Sequence, residues 1–498
     1  MLNFVMKNLT NPTPMLPGFY KPLRGRKRRS AQQIFADNVA SLKRKSFKQI
    51  GDFFGRFIPE EYLKPESSGI MSRRSMFSKE NTFWAFLGQV TDADGGCKEV
   101  VRKLQAYASL KGVKIPSSST ASYCIARKKL SEQTLTDIFQ YTAVQGDRPT
   151  KTGLLRNRRI VVVDGTGLSM PDTPANQEVW PQSATQKPGC GFPSARVCAC
   201  FSLESGSLLS YEIGNKKNHE LPLLRKQWKT FRPGDIFLGD KGFCSYYDVV
   251  KFKEQGVDSV ITLARRKPVS KSRCLKVLGP NDLLIKWDRP KYTPQLSYTR
   301  ETMAQLSEEL PLRQIQVVVD QPGFRTTGFY IVTTLLDPVK YPSEEIVGLY
   351  LKRWDVELFF RDIKITMGMD VLRCQSPDMI RKEILMNFIA YNCVRLLMYE
   401  AADKADLHVR RVSFKGSLQA IRSWSPQFES DKLSKAERNK LLNDLYGAVT
   451  DLPLPQRPGR SEPRCKKRRP KAYQLLTRSR REMKEIAHRN RYRVTVIN

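Results

Sequence analysis

The sequence predicts an α/β protein in which a mixed sheet carries helices, with a helical N-terminal region before it and a basic C-terminal tail after it. Three observations support this class. Short continuous apolar runs such as 159–163 indicate buried strands. Segments with helical apolar spacing separate those runs and also fill much of 30–145. Hydrophobic residues make up 40% of the 498 positions, which is enough for a sizeable core.

The chain carries a large positive charge. It has 85 Lys and Arg residues against 49 Asp and Glu residues, a formal net charge of +36. This excess favours a polyanionic partner, and nucleic acid is the first candidate. A membrane surface is the weaker alternative, because the basic residues are not confined to one amphipathic helix. The N-terminus lacks the pattern of a signal peptide, so we expect a cytoplasmic protein whose scattered cysteines are reduced.

Residues 1–155 are predicted to form a basic arm and a helical DNA-binding domain. Helices are expected at 31–54, 82–90 and 97–110. The segment 116–130 begins with N-cap residues and opens an amphipathic helix that carries Arg127 and Lys128. Such a helix can hold its cations against a DNA backbone, so both residues are candidate DNA contacts. A plain helical domain is the alternative.

Residues 156–265 are predicted to form the first part of the sheet domain. The pattern indicates strands at 159–163, 196–203, 208–213, 235–240 and 259–264, and helices at 219–229 and 245–255. Turn residues between the second and third strands predict a hairpin. The order strand, hairpin, helix, strand, helix, strand predicts a mixed sheet with helices on it. Its first and fourth strands each end in an aspartate, Asp164 and Asp240.

The remaining chain falls into three regions. Residues 266–340 alternate charged loops with strand-like runs, which predicts a β-strand insertion inside the sheet domain. Residues 341–450 return to helical spacing, with one helix at 343–367 and another at 379–404. Residues 451–498 form a Pro-rich, very basic tail. The apolar stretch 384–398 contains two asparagines and an arginine, so we expect a buried helix there and no membrane span.

The helix predicted at 343–367 carries four polar residues at i, i+3, i+7 and i+14: Tyr350, Arg353, Glu357 and Lys364. At the helical repeat they fall within an arc of roughly 60°. An ordinary amphipathic helix with an Arg353–Glu357 ion pair is one interpretation. The other is that Glu357 joins the two strand-end aspartates.

Three clustered carboxylates repel one another unless cations lie between them. Hard oxygen ligands suit Mg²⁺ or Mn²⁺. Two such ions can activate a water or a 3′-hydroxyl and stabilise the leaving oxygen of a phosphodiester. On this hypothesis Asp164, Asp240 and Glu357 hold the metal, and the neighbouring cations of the helix face DNA phosphates.

Three sequence blocks then carry a family resemblance. They are VVVDGTGLSMPDTPANQ at 161–177, FLGDKGFCSYYDV at 237–249, and the Y-x2-R-x3-E-x6-K signature from Tyr350 to Lys364. With these blocks in this order, the chain resembles the bacterial DDE transposases of the insertion-sequence-four family. The resemblance covers roughly 155–400 closely.

The resemblance implies an RNase H-like catalytic core that cleaves DNA at transposon ends and joins the 3′-OH ends to target DNA through a hairpin intermediate. It implies a homodimer acting in trans on double-stranded DNA, in the bacterial cytoplasm and associated with the nucleoid. Asp164, Asp240 and Glu357 would bind Mg²⁺, with Mn²⁺ able to substitute. Alternatives are a catalytically silent DNA-binding relative and another RNase H-like nuclease.

The resemblance also implies DNA contacts. Tyr350, Arg353 and Lys364 would contact the terminal phosphates, although Tyr350 could equally pack in the core. In the family an aromatic side chain of the insertion captures a flipped base, and Trp287 is the candidate here; a core tryptophan is the alternative. Arg265, at the end of the strand before the insertion, is a further candidate phosphate contact.

Overall fold

A large mixed sheet forms the centre of the protein, seen here in a computed structural model. The structure describes residues 54–72, 77–110, 114–149, 153–215, 219–263, 273–292, 298–318, 328–429, 433–455 and 475–479. The helix predicted at 31–54 and most of the basic tail therefore lie outside the described residues.

Nine strands are described, and all belong to one sheet in the order β3-β2-β1-β4-β5-β9-β8-β7-β6. Their bounds are β1 Ile160–Ser169, β2 Ser194–Ser202, β3 Leu208–Asn215, β4 Ile236–Gly239, β5 Asp258–Thr262, β6 Cys274–Gly279, β7 Asp282–Asp288, β8 Glu309–Val318 and β9 Gly328–Thr333. Strands β1, β4 and β5 run parallel, and the other neighbouring pairs are antiparallel. The predicted mixed sheet and its β2–β3 hairpin are confirmed.

The strands of 266–340 extend this same sheet. Strand β9 pairs directly with β5, and β8, β7 and β6 follow outward. The apolar side chains of β9 explain this placement, because Ile331 and Val332 are buried on opposite faces of the sheet. The predicted insertion thus contributes a strand to the main core as well as an extension beyond it.

Thirteen α-helices are described. Their bounds are α1 Lys79–Thr91, α2 Cys97–Leu110, α3 Ala121–Lys129, α4 Glu132–Gly146, α5 Pro174–Val179, α6 Glu220–Arg225, α7 Tyr246–Glu254, α8 Arg300–Ala304, α9 Ser343–Leu351, α10 Asp355–Arg361, α11 Pro377–Lys404, α12 Phe414–Trp424 and α13 Lys435–Thr450. Several begin at N-caps that the sequence supplies, for example Ser78 before α1 and Ser131 before α4.

Hydrophobic cores cover both faces of the sheet. Along β1, Ile160 and Val162 face one core while Val161 and Val163 face the other, as the strand period requires. The long helix α11 is buried in the first core, where α1 and α4 pack against it. The N-terminal helices therefore share this core with the sheet, so the domain boundary predicted after residue 155 does not separate two hydrophobic cores.

Candidate active site

Asp164 on β1 and Asp240, the residue directly after β4, lie at matching positions on neighbouring strands. Strand β1 pairs in parallel with β4 from Ile160 opposite Ile236 to Val162 opposite Leu238. Asp164 and Asp240 each follow two residues after this last pair, Val162 and Leu238. Neighbouring strands are about 4.8 Å apart, so the two aspartates lie side by side at the carboxyl end of β4. This much of the predicted arrangement is present in the structure.

The position of Asp164 within its strand differs from the prediction. Asp164 does not end β1, since the strand continues to Ser169 with β2 as its partner. What ends beside Asp164 is β4, at Gly239. The carboxylate is consequently held in the middle of a paired strand, whereas Asp240 caps a short 3-10 turn and accepts a hydrogen bond from Gly242 N at 2.7 Å.

The environment of Asp164 disfavours its charged form. Burial, foremost, raises the pKa of Asp164 to about 6, and the negative charges of Asp240 and Glu220 add to the shift. The Gly165 N–H, which donates to Asp164 Oδ1 at 2.7 Å, and the Arg353 guanidinium lower that pKa in part. These groups only partly offset the repulsion between Asp164 and the carboxylates beside it. Such a site suits a hard cation such as Mg²⁺.

The segment predicted as a helix at 343–367 is helical from 343 to 366, but it is not one regular α-helix. Helix α9 ends at Leu351, a 3-10 turn covers Lys352–Trp354, α10 spans Asp355–Arg361, and a π-helical turn covers Asp362–Thr366. The changes of hydrogen-bond spacing alter the rotation per residue. The four signature residues therefore do not share one environment.

The N-terminal half of the signature turns inward. Tyr350 is buried against Phe329, with ring centroids 5.4 Å apart, and its hydroxyl contacts the hydroxyl of Thr262. This burial fits the packing alternative for Tyr350, and its DNA contact stays a prediction. Arg353 is also buried, its guanidinium 5.6 Å from the Tyr350 ring centroid, and its Nε has no hydrogen-bond partner among the residues that the structure describes.

The C-terminal half remains more accessible. Glu357 is exposed on α10, a helix that packs against β1. Lys364 is half-buried, and its Nζ donates to Gly167 O at 2.9 Å and to Thr166 Oγ1 at 3.1 Å. Lys364 thereby fixes the π-helical turn to β1 just beyond Asp164.

The structure does not gather the three predicted acids into one cluster. In the part of the chain that it describes, no group of three His, Cys, Asp or Glu side chains lies close enough to hold a metal ion together. Asp164 and Asp240 are brought together, while Glu357 faces solvent on the adjoining helix. The donor chemistry of the aspartate pair suits Mg²⁺, and the assignment of all three as ligands stays a prediction.

One acid beside this pair was not predicted from the sequence: Glu220, the first residue of α6. A Cβ on Gly165 would stand 2.1 Å from Glu220 Oε1, so the carboxylate occupies the space over that glycine. Burial raises the pKa of Glu220, and Asp240 raises it further. The available sequence signal was weak: an acid at the start of the helix after the hairpin, and a glycine directly after Asp164.

The structure separates the two basic residues predicted on α3. Arg127 is buried, its Nη1 donates to Gln89 Oε1 at 3.1 Å, and its guanidinium lies over the rings of Phe86 and Tyr123. This burial encloses the side chain in its own helical region and gives no support to a DNA contact of Arg127, which stays a prediction. Lys128 is exposed, and its DNA contact stays a prediction.

Trp287 lies far from the aspartates. It is half-buried on β7 and packs edge-on against Tyr246, with ring centroids 5.4 Å apart. Strand β7 is five places from β1 in the sheet, which is about 24 Å at the usual strand spacing. The structure thus fits the alternative of a packing tryptophan and does not bring Trp287 to the acidic edge. Arg265 lies outside the described residues.

Comparisons with known proteins agree with this arrangement. Residues 155–393 match the family described as "Transposase DDE domain". The transposase InsG of insertion sequence element IS4 from Escherichia coli (strain K12) is 24% identical over 424 residues, covering 83% of this chain and 92% of that protein. The transposase of insertion sequence element IS231F from Bacillus thuringiensis subsp. israelensis is 21% identical over 268 residues, covering 47% of this chain and 55% of that protein.

A solved structure is also similar in part. It is titled "Cryo-EM structure of piggyBac transposase synaptic complex with hairpin DNA (SNHP)", with a TM-score of 0.39, 11% identity, and coverage of 85% of this chain and 87% of that one.

The site and the sequence matches define the class, a DNA-cleaving transposase with a DDE domain. These matches support a bacterial DDE transposase of the insertion-sequence-four family, the family that the three sequence blocks resemble. Within the described ranges, no helix has the length and apolar character that crossing a membrane requires.

Proposed function

We propose that this transposase binds the terminal inverted repeats of its insertion sequence, cleaves there, forms a hairpin on the transposon end, and joins the 3′-OH ends to target DNA. The observation that carries the proposal is the matched position of Asp164 and Asp240 on parallel strands, beside the helix that bears Glu357. The mixed sheet supports the RNase H-like core that the family resemblance implies. The setting would be the bacterial cytoplasm, on the nucleoid.

Asp164, Asp240 and Glu357 would hold Mg²⁺, or Mn²⁺ in its place. Two bound ions supply activation of a water or 3′-hydroxyl and stabilise the leaving oxygen of the phosphodiester. The chain's own part is to fix the aspartates: Gly165 N–H orients Asp164, and Gly242 N–H orients Asp240. Lys364 holds the end of the glutamate's helix to β1.

Arg353 is proposed to receive a DNA phosphate. Its buried Nε lacks a hydrogen-bond partner in the described structure, and a buried guanidinium nitrogen without a partner is costly. A phosphate oxygen is an acceptor of suitable charge and geometry. Lys128 would add a phosphate contact from the N-terminal helices, and a homodimer would hold two transposon ends together.

The test is a product analysis with a DNA duplex that carries the element's inverted repeats and a target plasmid. We expect hairpin ends and repeat ends joined to the plasmid, both dependent on Mg²⁺. Cut ends without joining would instead support an RNase H-like nuclease. Tight DNA binding with no divalent-ion binding in calorimetry would support the silent relative and overturn the proposal.

A further inference from the structure

Glu220 occupies the space between the two backbone elements that hold the aspartates. Its Oε1 lies 2.1 Å from the position of a Cβ on Gly165, and its Oε2 lies 3.8 Å from that on Gly242. Gly165 follows Asp164 and donates to it, and Gly242 donates to Asp240. Both positions are glycines, and a side chain at Gly165 would collide with the Glu220 carboxylate.

An ordinary structural role explains Glu220 poorly. Its cationic partner is Arg196, whose Nη1 lies 3.8 Å from Oε1, and both side chains are about one-third exposed, at 32% and 28%. Long, partly exposed ion pairs contribute little to stability. Helix α6 has six residues, so the charge of its aligned peptide dipoles is small as well.

The charges of these acids act on one another. Glu220 Oε1 lies over Gly165, the residue after Asp164, and Glu220 Oε2 faces Gly242, whose N–H donates to Asp240, so the charge of Glu220 lies close to both aspartates. Three carboxylates that interact in this way, with Arg353 and Arg196 as partial compensation, form a region of negative potential. Such a region attracts a divalent cation.

We propose that Glu220 is a further carboxylate of the metal pocket, which strengthens Mg²⁺ binding at Asp164 and Asp240 through the water shell of the ion. Mg²⁺ keeps several of its waters and takes one or two carboxylates directly, so an additional carboxylate acts on those waters. Outer partners of this kind typically change metal affinity by about 10- to 100-fold. The inference rests on the metal site of the proposed function.

The experiment measures Mn²⁺ affinity of the full chain without DNA, by electron paramagnetic resonance of the free ion. We expect Glu220→Gln to weaken binding by about tenfold or more. Glu212→Gln is the matched control, since Glu212 is also a half-buried glutamate with one distant cation, Lys226 at 4.0 Å, but lies on β3, two strands or about 10 Å from β1. The Glu212→Gln variant should bind Mn²⁺ with wild-type affinity.

A second variant displaces the Glu220 carboxylate without changing Glu220 itself. Gly165→Ala places a methyl group where the Glu220 carboxylate lies, and the flexible side chain can move away. It should weaken Mn²⁺ binding in the same direction while unfolding at nearly the wild-type temperature. Adding Glu220→Gln to Gly165→Ala should weaken binding little further, because both changes remove the same carboxylate from the pocket.

The outcomes separate the two claims. If Asp164→Asn abolishes Mn²⁺ binding while Glu220→Gln binds like wild type, Glu220 has no role at the ion and only this inference fails. If the wild type binds no Mn²⁺, or Asp164→Asn binds it unchanged, the metal site of the proposed function fails and this inference fails with it.

Discussion

Arg127 and Lys128 are neighbours of the same charge, yet the fold gives them opposite surroundings. Arg127 lies among aromatic rings and donates to Gln89, whereas Lys128 points outward from α3. The helical spacing predicted the helix but not which of its cations face inward, because a guanidinium can be buried when rings and an acceptor surround it. Only the packing of α3 against α1 decides this.

Substitution should separate the two roles. Arg127→Met should lower the free energy of unfolding by about 1–3 kcal/mol through the lost buried hydrogen bond. Lys128→Ala should change stability by less than about 0.5 kcal/mol, as exposed positions generally do. Chemical denaturation measures both. Equal stabilities for the two variants would contradict the placement of Arg127.

For DNA binding, the Lys128 substitution should have the larger effect and the Arg127 substitution the smaller one. Lys128→Ala should weaken binding of the inverted repeats and reduce the salt dependence of affinity by about one unit of slope. Arg127→Met, studied where it is folded, should leave that slope unchanged. Fluorescence anisotropy at several salt concentrations makes the comparison. A lowered slope for Arg127→Met alone would restore the original prediction for that residue.

At the scale of elements, the segment from Tyr350 to Lys364 shows that helical spacing in the sequence does not predict which of its side chains are buried. A regular helix would place Tyr350, Arg353, Glu357 and Lys364 along one face, but the 3-10 and π-helical turns shift them. The π-helical turn is held by tertiary contacts: Asp362 pairs with Arg395 of α11 at 3.4 Å, and Lys364 bonds to β1. Such contacts join residues distant in sequence, so local spacing cannot predict them.

The Asp362–Arg395 pair offers a direct test of how this segment is held. Both side chains are buried, so Arg395→Met leaves an unpaired buried carboxylate and should cost about 3–5 kcal/mol. Arg361→Met is the matched control, because Arg361 also approaches Asp362, at 3.7 Å, but is 57% exposed. It should cost less than about 1 kcal/mol. Similar losses for the two variants would contradict the buried position of the pair.

The loss in Arg395→Met should also depend on pH. Burial raises the pKa of Asp362 above its ordinary value, and the two arginines lower it in part. A group whose folded-state pKa is raised contributes stability below its unfolded pKa and loses it as pH rises through the folded value. Removing Arg395 raises the folded pKa further, so denaturation should show a larger deficit at pH 8 than at pH 4. A deficit that does not change with pH would contradict this.

At the scale of the whole molecule, the net charge of +36 governs how the chain meets DNA. If the complex neutralises 6–10 phosphates, affinity should fall by about 10³- to 10⁵-fold between 50 and 200 mM salt. The same titration on a scrambled duplex should show a similar slope at lower affinity, because phosphate contacts carry little sequence information. Affinity that is independent of salt would contradict an electrostatic interface.

The sequence predicted the sheet and its aspartates well because both depend on local pattern. Apolar runs marked β1, β4 and β5, and the acids that follow them were visible without a structure. Glu220 was not, since its proximity to Asp164 depends on the glycine beneath it and on the packing of α6 over β2 and β3. The distance of Trp287 from the aspartates was unpredictable for a related reason: sheet order, which sequence does not reveal, puts β7 five strands from β1.

The central claim is that Asp164, Asp240 and Glu357 form one Mg²⁺-dependent cleavage centre. The most direct measurement is cleavage of inverted-repeat DNA in Mg²⁺ by Glu357→Gln, beside Glu345→Gln, an exposed glutamate of α9 in the same segment. We predict that Glu357→Gln binds the DNA but yields no cut product, while Glu345→Gln cleaves like wild type. Cleavage by Glu357→Gln at the wild-type rate would contradict the claim.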